Sequence, residues 1–300
     1  GGAQECGTSS QMARGQLGGK VVIVTGASRG VGAEIARVFA EEGASVVVNY
    51  LHSKEKAEAI AATINTSPHS GRAIAVYGDV TSKSDMEALV ETALKEFGAV
   101  HVLVNNALAS YQFNPAAAPA SIKTLEWVHM QQQMDGTVRG AINAVQAVLP
   151  HFEAQGYGKV VMIGTNLVYN PVVTYYDYQA AKAAVVGLTR NLAAELGPKG
   201  VRVNLVAGGL LDTTDASALT TREVFDFVAA GTPLRRTTSV RDFAQACVFF
   251  CIKCVRCRDR TKHCGRWRPN DGITMAKVKV QSGGRSHVVV ILTRSEIQKL

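Results

Sequence analysis

Val21-Val22-Ile23-Val24-Thr25-Gly26-Ala27-Ser28-Arg29-Gly30-Val31-Gly32 begins with four apolar residues, turns through three glycines and leads into an Ala-containing stretch of helical pattern. A short apolar run bounded by glycine reads as a buried strand, and the longer run behind it as a helix. At such a junction small residues let backbone N–H groups and the positive end of the helix approach a pyrophosphate, which bulky side chains would prevent. The spacing is G-x-x-x-G-x-G and not the more familiar G-x-G-x-x-G. Three glycines alone satisfy any tight turn, so it is their place between the first strand and the first helix that points to dinucleotide binding.

Outward from this turn, short β-branched runs alternate with longer Ala-rich stretches as far as about Arg202. Strands are expected at Val21–Thr25, Ser45–Asn49, Ala73–Tyr77, Val100–Val104, Lys159–Ile163 and Val201–Val206. Helices are expected at Val31–Glu42, Lys54–Ile64, Ser84–Phe97, Ile122–Phe152 and Tyr175–Leu196, the third opening on a capping box of Ser84 and Glu87. The strand runs are apolar almost throughout, as they must be if helices cover both faces of the sheet. The order is that of an α/β, doubly wound parallel sheet in three αβα layers.

The composition is that of a globular chain, with 47% hydrophobic and 19% charged residues. No apolar run approaches the roughly 20 residues of a membrane-spanning helix, and Gly1 to Gly19 lacks the apolar stretch of a secretory signal. Residues 1–16 read as a flexible leader, 17–250 as one domain, and 251–300 as an atypical basic, Cys-rich tail. A cytoplasmic location is expected. The net charge of +8 is concentrated late: Cys251 to Arg268 holds seven Lys or Arg and one acid, Asp259. Nucleic acid is therefore not the expected partner of the main domain.

Tyr178-Gln179-Ala180-Ala181-Lys182 puts a phenol and an ammonium on one helical face, a spacing that Tyr175 and Tyr176 lack. A nearby ammonium favours phenolate and draws the Tyr pKa down from about 10 toward the range of a general acid or base. The plain alternative is a Tyr and a Lys that are merely exposed.

With the glycine turn upstream, this pair resembles the short-chain dehydrogenase/reductase family, and the resemblance runs from Leu17 to about Phe250. It implies a Rossmann-type fold, an oxidoreductase acting on CH–OH or C=O groups of a small molecule, and a homotetramer. The overall pattern is similar to 3-oxoacyl-ACP reductases of fatty acid biosynthesis, which implies NADPH-dependent reduction of a ketone carried by acyl carrier protein. Thr165, thirteen residues before Tyr178, replaces the family's carbonyl-binding serine and keeps its hydroxyl. The same resemblance gives Lys182 the nicotinamide ribose and makes Gly26, Ser28, Arg29, Gly30, Val31 and Gly32 the phosphate turn. Asp79 and Val80 fall to the adenine, although Asp79 reads equally as a loop residue. Asn105 and Ala107 belong to the family's Asn-Asn-Ala-Gly, with Leu108 in place of its glycine. Thr137 replaces the active-site Asn, and Gly208-Gly209 replaces Pro-Gly beside the nicotinamide. These departures leave room for a second reading, a cofactor-binding protein without turnover.

Cofactor choice turns on the ribose. An acid at the end of the second strand would bind the 2′-hydroxyl of NAD and repel a phosphate. Here Asn49 stands there, with Arg29 in the turn and Lys54 beyond, so NADP(H) is favoured over NAD(H); Arg29 also reads as a solvated turn residue.

After Phe250 the family pattern stops, so the final strand of the family's sheet is expected to be missing or replaced, and Val288–Leu292 is apolar enough to pair with the open edge. Codons exist for Cys251 to Asp271 that, read one nucleotide later, restore the family's Thr-Gly-x-x-x-x-Val-Asp-Gly-Gly ending, and the tail is read as a frameshifted terminus. A competing reading makes Cys251, Cys254, Cys257, His263 and Cys264 a zinc site with RNA-binding flanks, although two separated C-x-x-C knuckles are the usual pattern. On the frameshift reading no metal is expected. A chain with the shifted-frame ending is expected to melt higher and to assemble more completely than the chain as written, in side-by-side thermal unfolding and sizing experiments.

Overall fold

The structure is a computed structural model. It describes residues 15–68, 70–108, 121–169, 171, 173–212, 214, 217, 220–232, 235–252, 275–279 and 287–291. The strands are β1 (Val21–Val24), β2 (Ser45–Tyr50), β3 (Ala73–Tyr77), β4 (Val102–Asn105), β5 (Gly158–Thr165), β6 (Val201–Gly208), β7 (Met275–Lys279) and β8 (His287–Ile291). The helices are α1 (Gly30–Glu41), α2 (Lys54–Thr66), α3 (Lys83–Phe97), α4 (Trp127–Gln133), α5 (Gly140–Ala154), α6 (Tyr176–Leu196), α7 (Arg222–Gly231) and α8 (Val240–Phe249).

The sheet order is β3-β2-β1-β4-β5-β6-β8-β7. From β3 to β6 all neighbours run parallel. Chain order reverses direction between β1 and β4, which opens a crevice at the carboxyl ends of the strands. The strands from β2 to β6 are largely buried on both faces, the edge strand β3 less so, and two apolar clusters result. One lies beneath α1, α2 and α8 and contains Phe39 and Phe243. The other lies beneath α3, α5 and α6 and contains Phe152 and Met162. This is the three-layer, Rossmann-type arrangement expected from the apolar strands.

Two local expectations need correction. The cap of α3 is Ser82 and not Ser84: the Ser82 hydroxyl accepts from the Asp85 N–H and donates to the Asp85 carboxylate. The long helix expected over Ile122–Phe152 is two helices, α4 and α5, joined by a π-helical turn at Met134–Arg139. Its wider winding places Gly140 against Val80, where a Cβ would come within 2.7 Å of the Val80 side chain. The family's final strand is replaced: the edge of β6 pairs antiparallel with β8 at Leu205, Val206 and Ala207, and β8 covers most of the apolar run Val288–Leu292.

At the opposite, amino-terminal ends of β5 and β6, two cations reach the chain leaving α8. Lys159 Nζ donates to Cys251 O at 2.6 Å and Ile252 O at 3.2 Å, and Arg202 donates to Phe250 O at 2.8 Å. Cationic donors thereby satisfy carbonyls at a helix C-terminus. Among the described residues no helix is long and apolar enough to cross a membrane. Most of the leader lies outside the described residues, as do Cys254, Cys257, His263 and Cys264.

Candidate active site

Two side-chain amides, one buried and one half-buried, hold the glycine turn in place. Asn49, at the end of β2, accepts from the Gly26 N–H at 3.0 Å and donates to Gly78 O at 2.9 Å. Asn106, just past β4, donates to Thr25 O at 2.9 Å and Gly26 O at 3.1 Å, while the Thr25 hydroxyl accepts from the Asn106 N–H. The turn is thus tied to β2, β3 and β4 together. Gly26 has φ +61°, and a Cβ there would meet Ala107 Cα at 2.9 Å; a Cβ on Gly32 would meet Asn106 Nδ2 at 2.5 Å. Behind the turn, α1 starts without a side-chain cap and without an acid in its first turn. Its first N–H groups therefore keep their capacity for an anion. The cradle fits a pyrophosphate.

The cradle opens into a cavity of about 850 Å³ that crosses the carboxyl ends of the strands. Gly26, Ser28, Arg29, Gly30, Val31, Gly32, Asn49, Asp79, Val80, Ala107, Thr165, Tyr178, Lys182 and Gly208 all line it. Asn105 and Thr137 do not. They line a separate void of about 10 Å³ that Lys182 also borders, at the lower limit for one water by this measure. Thr137 sits on the π-helical turn, and its hydroxyl is buried without a hydrogen-bond partner.

Some expected contacts are spent internally. The Asn49 side chain is 1% exposed and hydrogen-bonds Gly26 and Gly78, while the residue lines the cavity. At that end the exposed chemistry is Arg29 with His52 and Ser53, the latter heading α2 without using its side chain as a cap. Asp79 accepts from both the N–H and the hydroxyl of Thr81 at 2.8 Å, so it orders its loop while it lines the cavity. Asn106 belongs with Asn105 and Ala107 to the Asn-Asn-Ala pattern of the sequence, but its own role, the bonds to the turn, only appears once β1 and β4 are side by side.

At the centre, β5 ends on Thr165 and α6 brings Tyr178 and Lys182 against it. Burial pushes the Tyr178 hydroxyl up to about 12, opposed by its hydrogen bond with Thr165. Burial also pushes the Lys182 ammonium down to about 8. The expectation that the ammonium lowers the phenol is therefore reversed in the free chain. Lys182 Nζ lies 5.8 Å from the Tyr178 ring centroid and donates to Ile163 O at 2.7 Å; loss of water outweighs that separated charge.

A family profile described as short chain dehydrogenase matches residues 20–223. The chain belongs to this family. Short-chain dehydrogenases of known sequence bear this out along most of the length. An uncharacterized oxidoreductase of Methylorubrum extorquens is 36% identical over 236 residues, covering 78% of this chain and 91% of the relative. The 7alpha-hydroxysteroid dehydrogenase of Escherichia coli is 32% identical over 236 residues, covering 79% and 88%. A 3-oxoacyl-acyl-carrier-protein reductase of Staphylococcus aureus is 34% identical over 234 residues, covering 77% and 89%. As a short-chain dehydrogenase the chain is an NAD(P)-dependent oxidoreductase.

Asn106→Ala leaves the Thr25 and Gly26 carbonyls without that donor. It is expected to cost about 1–3 kcal/mol of stability, measured by denaturant unfolding, and to weaken dinucleotide binding by loosening the cradle.

Proposed function

We propose that residues 17–250 form an NADPH-dependent reductase that converts a ketone to a secondary alcohol, in the manner of the 3-oxoacyl-ACP reductase among its relatives. The observation that carries this reading is the convergence of Thr165, Tyr178 and Lys182 at the centre of a cavity whose one end is an uncapped, glycine-lined cradle. A bound nicotinamide dinucleotide supplies the hydride there. Gly26, Gly30 and Gly32 admit its pyrophosphate; Asp79, Val80 and Ala107 lie along the adenosine side, with Asn105 behind them; Gly208 lies toward the nicotinamide.

The substrate oxygen is received by the Thr165 and Tyr178 hydroxyls. With its pKa raised, Tyr178 keeps its proton at neutral pH and is an acid ready to donate, which favours reduction. Lys182 returns a proton toward Tyr178, and Thr137 presents its unpaired hydroxyl to a water in the void beside Lys182. NADP is preferred because Arg29, His52 and Ser53 line the β2 end of the cavity, where the end of the strand carries Asn49 and not an acid. Self-association, with a homotetramer as the proposed state, is supported by the exposure of Ile122 (68%) and Trp127 (72%), just before and at the start of α4.

Tyr178→Phe is expected to lower kcat for ketone reduction by about 10²–10⁴-fold while NADPH affinity, read by fluorescence titration, changes little. Full activity in the variant would remove Tyr178 from the chemistry. The reduction rate is also expected to be flat through neutral pH and to fall as pH rises through about 8, where the Lys182 ammonium is lost. Since Tyr178 remains protonated to about 12, this loss should be absent from a Lys182→Ala variant, whose residual rate should not bend near that pH.

A further inference from the structure

Three buried polar groups beside the reacting centre are incompletely matched. Lys182 Nζ gives one of its three protons to Ile163 O. Thr137 Oγ1 and Gln133 Oε1 are buried with no hydrogen-bond partner. Gln133 is 3% exposed and is the buried residue of α4, which packs on α6. It ends α4 in helical backbone, and Thr137 follows four residues later on the π-helical turn, so the two side chains rise one turn apart from the same flank. Thr137 and Lys182 border the same small void, whose other polar side chains are already engaged, Thr25 with Val104 O and Asn105 with the Met162 sulfur. A buried amide without a partner costs more than an apolar side chain of the same shape, so the presence of Gln133 points to a role other than packing.

We propose that Gln133 is a positioning residue for proton transfer: its Oε1 accepts the Thr137 proton and so turns the Thr137 lone pairs toward Lys182. The inference rests on the reductase reading above and adds to it a residue that does not line the cavity. Rotation of the two side chains, one turn apart, brings the groups together. A hydroxyl has one proton to give and lone pairs to accept with. With that proton fixed by Gln133, Thr137 faces the void as an acceptor. A water there accepts from the Lys182 ammonium and donates to Thr137, an order that favours the charged lysine. Without Gln133 the Thr137 proton turns into the void and opposes the protons of Lys182. The titratable or charged groups around Lys182 are Tyr178 on its own helix and, across the cavity, Arg29, His52, Asp79 and Tyr175. Asp135 and Arg139 of the π-helical turn pair with each other at 2.8 Å, and the void brings no further charge. Burial depresses the ammonium, so its hydrogen-bond acceptors govern where it titrates.

The titration of Lys182 in the full chain tests this, first without cofactor and then in turnover. Gln133→Met is unbranched and of similar length but lacks the acceptor, and it should melt at or above the wild type because an unmatched amide is removed. Gln133→Leu is the second variant, with the same expectations for Lys182. In the free chain, the Cε resonance of Lys182 in isotope-labelled protein is assigned by its loss in Lys182→Arg. In either variant it should titrate at a pH about 0.5–1 lower than in the wild type, the size of one hydrogen bond. The high-pH fall in ketone reduction should move down equally, with NADPH affinity unchanged. Gln133→Glu keeps an acceptor oxygen and should hold both at or above the wild-type pH. On a Thr137→Val background, Gln133→Met should move neither. An unmoved Lys182 resonance in Gln133→Met and Gln133→Leu, or a shift that persists when Thr137 is replaced by Val, overturns the inference and leaves the reductase reading intact. A wild-type chain that binds NADPH and reduces no ketone overturns the reductase reading and the inference with it.

Discussion

The site depends on two side-chain amides, Asn49 and Asn106, that hydrogen-bond to a glycine turn from opposite sides. A turn with so few side chains has little packing of its own, and its backbone must remain bare where a ligand approaches. Rigidity therefore comes from outside. Asn49 joins the turn to the end of β3 through Gly78, and Asn106 joins it to β4 through Thr25 and Gly26. Because an unmatched buried amide or carbonyl costs more than one matched bond returns, each group specifies the position of the others.

Burial sets the chemistry at the centre. Tyr178 and Lys182 sit side by side in the usual spacing, yet in the free chain each is shifted chiefly by its own loss of water and not by the other. The result is an acid that keeps its proton and a base that gives one up near pH 8. On the proposed reading, proton transfer along Lys182 and Tyr178 then depends on what else enters the cavity and excludes or admits water.

Much of this was legible in the residues. Continuous apolar runs announced buried parallel strands, and the glycine turn and the Tyr178–Lys182 pair marked the two ends of the chemistry before any geometry was known. The direction of the Asn49 side chain was not legible, because a strand buried on both faces has no polar alternation to show which way a given residue points. The break between α4 and α5 was hidden for a related reason: Met134, Asp135 and Thr137 include no proline, so the π-helical turn has no sequence signal of its own. The Ser82 cap was overlooked because Ser84 offered a competing pattern two residues on. The separation of Thr137 from the main cavity is a matter of helix winding, which spacing along the chain does not report.

The contacts of Lys159 and Arg202 with the carbonyls of Phe250, Cys251 and Ile252 lie at the starts of β5 and β6, whereas Thr165 and Gly208, which line the cavity, lie at their ends. Each strand has eight residues, which at about 3.3 Å per residue separates the two ends by more than 20 Å. The chain therefore passes Ile252 at the far pole of the molecule. Beyond that point the chain comes back to the sheet as β8, beside Leu205, Val206 and Ala207, so a change of sequence after Ile252 reaches the reacting groups through the edge of β6 and not through the chain leaving α8.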